Sequence, residues 1–203
     1  MQNIDSIAEA LATQGWCVVE KFVSDELLRE LGEEALALLH TGALRQAGIG
    51  AGQNVRVEPA VRGDRTLWLD PLQATRAQRD CLDALEALRC ALNRELQLGL
   101  FEFEGHFAAY PPGAVYRRHR DQQVGQGARV VSCVLYLNPA WSAEDGGQLR
   151  LYLGASGTES FRDVLPAGGT LVCFLSQRFW HEVLPATRIR LSLTGWFRQR
   201  AAV

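Results

Sequence analysis

Two histidines and one aspartate have the residue types and the spacing of a metal site. His119 and Asp121 are separated by one residue, and His181 follows an apolar segment further along the chain. Residues i and i+2 of an extended segment point to the same side, so this imidazole and carboxylate can reach one ion. Two imidazoles and a carboxylate form the facial triad that selects non-haem Fe(II) and leaves coordination sites open for oxygen chemistry. The sequence therefore predicts an iron site at His119, Asp121 and His181.

The segment after His181 alternates polar and apolar side chains, as a strand with one buried face does. Arg190 lies on its polar face, and a buried guanidinium needs a partner. A dicarboxylate ligand would provide one through two parallel charge-assisted hydrogen bonds. Tyr136 and Tyr110 on earlier predicted strands could assist, although such tyrosines are often ordinary core aromatics. The alternative is that Arg190 lies on the solvated outer face of an edge strand.

Length and composition predict a globular protein with a single domain over residues 1–203. Hydrophobic residues make up 47% of the chain and charged residues 22%, the balance of a protein that folds by itself. The net charge of -2 gives no general attraction to nucleic acid. Five cysteines in mostly apolar segments predict buried, reduced thiols in a cytoplasmic protein. The sequence has no long apolar segment, so we expect no membrane span, and we expect a monomer.

Helical periodicity fills the first half of the chain and strand alternation the second, which predicts an α+β fold. Residues 45–65 show no clear period and predict a long loop or an irregular hairpin leading to Trp68. We expect supporting helices and this loop in residues 1–98, and a catalytic β-core in residues 99–198. The predicted helices cover 4–13, 24–39 and 72–97, and the predicted strands cover 16–19, 103–110, 129–138, 147–153, 169–175 and 188–198.

An ordered series of motifs resembles the 2-oxoglutarate- and Fe(II)-dependent dioxygenases. Within them it is most similar to the hypoxia-inducible-factor prolyl hydroxylases and their bacterial prolyl 4-hydroxylase homologues. The resemblance begins upstream with Gly15-Trp-Cys-Val-Val and Arg62-Gly-Asp. In the second half its motifs are Tyr110-Pro-Pro-Gly, His119-x-Asp121, Tyr136-Leu-Asn, Gly146-Gly147, His181-Glu-Val-x-Pro and Arg190-x-Ser-x-Thr-x-Trp196-Phe.

The resemblance implies a distorted double-stranded β-helix, or jelly-roll, backed by N-terminal and central helices. It implies Fe(II), 2-oxoglutarate and O2 as cofactor and cosubstrates, with ascorbate as a reductant. Arg190 would bind the C5 carboxylate of 2-oxoglutarate, and the other cosubstrate contacts would be Tyr110, Tyr136 and Trp196. On the substrate side, the resemblance implies Arg62 and Asp64 in a finger loop over the site, together with Arg129 and Trp196.

The activity that the resemblance implies is hydroxylation of a proline in a protein partner, and among bacterial homologues a proline of elongation factor Tu is the known kind of target. Asp121 favours hydroxylation over halogenation, because a halogenating site lacks that carboxylate. Two departures concern substrate selection: Gln122 and Gln123 follow the aspartate, and animal members continue beyond a position equivalent to Val203.

Other readings stay open at this point. The same core could hydroxylate a free amino acid or another small molecule, or could sense 2-oxoglutarate or a metal without catalysis. A zinc hydrolase would leave Arg190 unexplained. Nucleic-acid demethylation would require a basic, aromatic-lined channel.

Overall fold

A computed structural model of the protein describes residues 4–50, 56–122, 128–154 and 160–200. Gln123, one of the two residues that depart from the family pattern, lies outside these ranges. The helices are α1 (Ile4–Thr13), α2 (Asp25–His40) and α3 (Arg76–Leu96). The strands are β1 (Trp16–Val19), β2 (Arg45–Gln46), β3 (Arg65–Trp68), β4 (Leu100–Tyr110), β5 (Tyr116–His119), β6 (Arg129–Tyr136), β7 (Leu149–Tyr152), β8 (Phe161–Val164), β9 (Leu171–Leu175), β10 (His181–Val183) and β11 (Arg190–Gln199).

Side-chain caps set where the two longer helices begin. Ser24 accepts a hydrogen bond from the backbone N–H of Leu27 ahead of α2, and Thr75 does the same for Gln78 ahead of α3. The prediction that α3 begins at residue 72 was therefore wrong, because Thr75 is the residue that satisfies the free N–H groups of its first turn. None of the described helices is long and apolar enough to cross a lipid bilayer.

The described strands form two antiparallel sheets. The larger sheet has the order β1-β9-β6-β11-β4-β3-β2, and the smaller one has the order β5-β10-β7-β8. Along the chain from β4 to β11, the strands pass back and forth between the two sheets, which is the connectivity of a jelly-roll. The predicted double-stranded β-helix is thus confirmed, with β11 as the fourth of seven strands and not at an edge.

Two apolar layers hold the sheets and helices in place. One packs the three helices against the outer face of the large sheet, through side chains such as Leu31, Leu88 and Phe107. The other fills the space between the sheets, with Tyr136 and Phe174 from the large sheet and Leu151 from the small one. The site described below lies between the sheets, so its walls are fixed by both.

Several expectations from the sequence need correction. Cys90 is exposed, whereas the other four cysteines are buried, because Cys90 lies on the outer side of α3. Strand β8 was not predicted, since its burial pattern has three exposed residues before Val164 and so lacks a buried face. Within residues 45–65, β2 pairs with β3 through Gln46 and Arg65, which favours the irregular hairpin over the plain loop.

Candidate active site

His119 and His181 face each other across two paired strands of the small sheet. They are directly opposed in the register of β5 and β10, and their ring centroids are 4.2 Å apart. Nδ1 of His119 lies 2.8 Å from the carbonyl oxygen of Arg117, and Nδ1 of His181 lies 3.2 Å from that of Phe179. A carbonyl oxygen can only accept, so each Nδ1 carries the proton. Both Nε2 atoms are then free to bind a metal ion.

Asp121 completes the group from a bend beyond the end of β5. Its Oδ1 lies 3.6 Å from Nε2 of His119, and its Oδ2 lies 3.6 Å from Nε2 of His181. The ligand atoms of the three residues all lie within 4.8 Å of one another. The expectation that the aspartate shares a strand with His119 was wrong, because β5 ends at His119.

The charge state of these residues suits a divalent cation. Burial alone would raise the pKa of Asp121, but the two neighbouring histidines hold it well below its usual range. Burial, followed by the nearby imidazole of His181, lowers the pKa of His119. An ionised carboxylate and neutral imidazoles are the forms in which these side chains bind metals. Two nitrogens and one oxygen also match the donor set of non-haem Fe(II) sites.

Arg190 begins β11 and is almost completely buried, with 2% of its surface exposed. Its Nε donates a hydrogen bond of 2.8 Å to the carbonyl oxygen of Gly147. Its guanidinium carbon lies 5.1 Å from the ring centroid of Tyr110 and 5.0 Å from that of Tyr136. No carboxylate among the described residues forms an ion pair with it. A buried cation without an anionic partner is costly, so the arrangement fits an acidic ligand such as 2-oxoglutarate.

The register of β11 explains why these tyrosines meet Arg190. Arg190 is opposite Tyr110 on β4, and Ser192 is opposite Tyr136 on β6. The hydroxyl of Tyr136 is buried and has no hydrogen-bond partner among the described residues. Burial raises the pKa of Tyr136 to about 12, although the charge of Arg190 opposes this. The neutral hydroxyl can therefore donate to a ligand carboxylate beside Arg190.

A cavity of about 110 Å³ has Arg190 and the three candidate metal ligands, His119, Asp121 and His181, in its wall. Of the candidate site residues predicted from the sequence, only Tyr136 is not in its wall, and the ring of Tyr136 lies 5.0 Å from the guanidinium carbon of Arg190. Four arginines and two aspartates contribute to the wall, which gives it an excess of positive charge for an anionic ligand. The wall is formed by Arg62, Asp64, His106, Ala108, Tyr110, Tyr116, His119, Arg120, Asp121, Arg129, Val134, Leu149, His181, Val183, Arg190, Thr194 and Trp196.

The predicted substrate-side residues lie in two pairs at this cavity. Arg62 donates to both carboxylate oxygens of Asp64, at 2.8 and 3.1 Å, and only 1% of Asp64 is exposed. Burial opposes the charge of Arg62, but the hydrogen bond to Asp64 raises its pKa above the usual value. Arg129 donates to Glu104 at 2.6 Å, and its guanidinium carbon lies 3.5 Å from the ring centroid of Trp196.

Among the wall residues that sequence reasoning did not single out, Tyr116, His106 and Thr194 carry aromatic or hydroxyl groups that face the cavity. Tyr116 stacks on His119 with ring centroids 3.6 Å apart. Thr194 pairs in register with His106, whose ring lies 4.8 Å from that of Trp68 and 5.5 Å from that of Trp196. Signals for all three were present: Tyr116 stands three residues before His119, Thr194 lies on the polar face of β11, and His106 lies on the same strand face as Tyr110.

Comparison with known proteins agrees with this geometry. Residues 105–198, which include the metal group and Arg190, match the family model described as the 2OG-Fe(II) oxygenase superfamily. Human prolyl hydroxylase EGLN3 is 30% identical over 210 residues, which cover 96% of this chain and 82% of that protein. The chain also matches Egl nine homolog 1 of human, rat and mouse at 29% identity, and it spans about half the length of those proteins, for example 46% of the human one.

Two solved structures are similar over nearly the whole chain. The crystal structure of a Pseudomonas putida prolyl-4-hydroxylase has a TM-score of 0.87 and 46% sequence identity, and the match covers 97% of this chain and 99% of that one. A prolyl hydroxylase from Trichoplax adhaerens, solved with a hypoxia-inducible-factor oxygen degradation domain peptide, has a TM-score of 0.84 and 27% identity. That match covers 97% of this chain and 89% of the other.

Proposed function

The chain belongs to the 2OG-Fe(II) oxygenase superfamily, and on that premise we propose that it is a 2-oxoglutarate-dependent prolyl hydroxylase acting on a protein. The observation that carries the proposal is the buried guanidinium of Arg190. It lacks an ion-pair partner among the described residues and shares one cavity with the His119, Asp121 and His181 group. The prolyl hydroxylase names of the similar proteins, and the peptide bound to one of them, support the choice of substrate class.

His119, Asp121 and His181 would hold Fe(II), which supplies the activation of O2 needed to hydroxylate a C–H bond. Three protein ligands would leave part of the coordination sphere of the ion open for the other ligands of the reaction. Backbone carbonyls orient both imidazoles. These contacts would keep the metal ligands in place before any substrate binds.

Arg190 and Tyr136 would hold the far carboxylate of 2-oxoglutarate. The two guanidinium nitrogens other than Nε are available for parallel hydrogen bonds to that carboxylate. The carbonyl of Gly147 fixes the guanidinium through Nε. Gly147 itself has a positive φ of 70°, a backbone conformation that favours glycine. Tyr110, opposite Arg190 on β4, would contact the keto-acid end of the same molecule.

The protein substrate would enter from the side of Trp196, Arg129 and the Arg62–Asp64 pair. Trp68, whose surface is 52% exposed, lies at the outer edge of this aromatic group, with its ring 6.1 Å from that of Trp196. Aromatic faces and apolar ring edges suit the saturated ring of a proline. The contacts with the protein substrate would be Arg62, Asp64, Arg129 and Trp196.

Peptide-level mass spectrometry tests this function. The protein is incubated with Fe(II), 2-oxoglutarate, ascorbate and air, together with a cell lysate or purified elongation factor Tu as one candidate substrate. We expect a mass increase of one oxygen on a prolyl residue, with one succinate formed for each hydroxylated proline. The His181→Ala variant, which lacks a metal ligand, serves as the control and is expected to give neither product.

The outcome also separates the competing readings. Succinate formed with oxygen added to a free amino acid, and to no protein, would replace the prolyl substrate with a small molecule. Binding of 2-oxoglutarate without any succinate would indicate a sensing module. Either result would overturn the proposal that the substrate is a protein proline.

A further inference from the structure

Two buried serines connect the carboxylate of Asp121 to the large sheet. Oγ of Ser132, on β6, donates a hydrogen bond of 2.6 Å to Oδ2 of Asp121. Oγ of Ser132 also lies 2.9 Å from Oγ of Ser176, just beyond the end of β9. Ser132 is 1% exposed and Ser176 is not exposed at all. Water therefore cannot replace either hydroxyl without a structural change.

The direction of this chain of hydrogen bonds follows from the number of protons. A serine hydroxyl has one proton, and that of Ser132 is donated to the carboxylate. Ser176 must then donate its own proton to Ser132. A length of 2.6 Å is typical of a charge-assisted bond between a hydroxyl and a carboxylate. Bonds aligned in this way polarise one another and strengthen the last one.

Asp121 needs such support because its backbone does not belong to a strand. The two histidines lie on paired strands of the small sheet, whereas Asp121 lies in the bend after β5. The hydrogen bond from Ser132 crosses from the opposite sheet and fixes the rotation of the carboxylate group. The large sheet is rigid at this point, because β6 is paired with both β9 and β11.

We propose that Ser132, itself held by Ser176, is a positioning residue that presets the Asp121 carboxylate for metal binding. This inference rests on the proposed function, since it assumes that His119, Asp121 and His181 hold a metal ion. Outer hydrogen bonds of this kind typically change metal affinity by about 10- to 100-fold. The serines touch neither the metal nor the substrate in this account, so their effect reaches the metal only through Asp121.

The test measures the affinity of the full chain for Mn(II), a redox-stable probe for the Fe(II) site, by the electron paramagnetic resonance signal of the free ion. We expect Ser132→Ala to weaken Mn(II) binding by about 10-fold or more. Ser132→Thr keeps a hydroxyl at the same position and is expected to restore most of the affinity. Ser176→Ala leaves the bond to Asp121 in place and is expected to weaken binding less than Ser132→Ala does.

Ser192→Ala is the matched control. Ser192 is equally buried, at 1% exposure, and its hydroxyl lies 3.0 Å from that of Thr194 and forms no hydrogen bond with Asp121. Its loss is expected to leave Mn(II) affinity unchanged. Urea unfolding of each variant identifies any that fails to fold, and if Ser132→Ala does not fold, Ser176→Ala decides the result.

The inference is overturned if the folded Ser132→Ala variant binds Mn(II) within about twofold of the wild type, well short of the effect of a supporting bond. It is also overturned if Ser192→Ala weakens binding as much as Ser132→Ala. The proposed function would fail differently, because the wild type itself would then bind no Mn(II).

Discussion

At the residue scale, His106 is a buried histidine in the wall of the cavity. It is 1% exposed, and its Nδ1 makes no hydrogen bond with the described residues. Burial, together with the charges of Arg62 and Arg129, lowers its pKa from 6.5 to about 3. The imidazole is therefore neutral at physiological pH and lines the cavity without adding charge.

This shift predicts a specific loss of stability in acid. Between pH 6.5 and 3 the unfolded chain takes up a proton at residue 106 that the folded chain does not, so the folded state loses stability as the pH falls. By pH 4 this loss in the free energy of unfolding amounts to about 3 kcal/mol. The His106→Leu variant cannot take up this proton, so we expect its free energy of unfolding to fall less between pH 7 and pH 4. Urea unfolding at several pH values measures the difference.

His40→Leu provides the control, because His40 is an exposed histidine at the end of α2. A smaller stability loss in acid that appears in His106→Leu and not in His40→Leu would assign the effect to the buried position. If His106→Leu loses stability in acid as steeply as the wild type, then the imidazole of His106 is not held neutral by burial.

The candidate metal ligands could be predicted one by one, because His-x-Asp and a distant histidine form a chemically specific set. The geometry that joins them could not be predicted in full. Two-residue periodicity assumes a continuous strand, whereas Asp121 lies beyond the end of β5 and is held by Ser132. Bonds between residues on different sheets leave no periodic signal in the sequence.

At the scale of elements, β11 positions most of the site and depends on its close pairing with β4. Gly195 is the point of closest approach. A Cβ added there would meet Cζ of Phe103, and it would lie 2.5 Å from the carbonyl oxygen of Glu104 and 2.8 Å from Cα of Gly105. Backbone atoms cannot rotate away as a side chain can, so a methyl group at this position must displace one strand from the other.

We expect Gly195→Ala to lower the free energy of unfolding by about 1–3 kcal/mol, the usual cost of overpacking. The urea unfolding midpoint measures this loss. Gly105→Ala is the matched control on the neighbouring strand, because the three atoms nearest to its added Cβ all belong to the side chain of Phe103. Equal stability losses for the two variants would show that the Phe103 ring, and not the backbone of β4, limits the space.

Alternation of polar and apolar residues predicted a strand at 188–198, and the strand in the structure is Arg190–Gln199. The same pattern placed Arg190, Ser192, Thr194 and Trp196 on one face, as the structure has them. The special role of Gly195 could not be predicted, because it depends on the separation of two strands that are distant in sequence. Strand β8 was missed for a related reason: its pairing with β7 holds an exposed segment that has no pattern of its own.

At the scale of the whole molecule, each sheet provides one half of the candidate site. The two histidines come from the small sheet, whereas Arg190 and both tyrosines come from the large one. The helices cover the other face of the large sheet and make no contribution to the cavity wall among the described residues. Simultaneous binding of a metal ion and a keto diacid would therefore require both sheets to be in their native arrangement.

The most direct test of this account is calorimetric titration of 2-oxoglutarate into the Mn(II)-loaded protein without oxygen. We expect 2-oxoglutarate to bind at one site, and only when the metal ion is present. Loss of a buried charge pair typically costs about 2 kcal/mol or more, so Arg190→Met should bind at least about 30-fold more weakly. Arg188→Met is the matched control, because Arg188 contacts Pro139 and Trp141 outside the cavity, and it should bind like the wild type. Binding that does not need the metal, or that Arg190→Met leaves unchanged, would contradict the account.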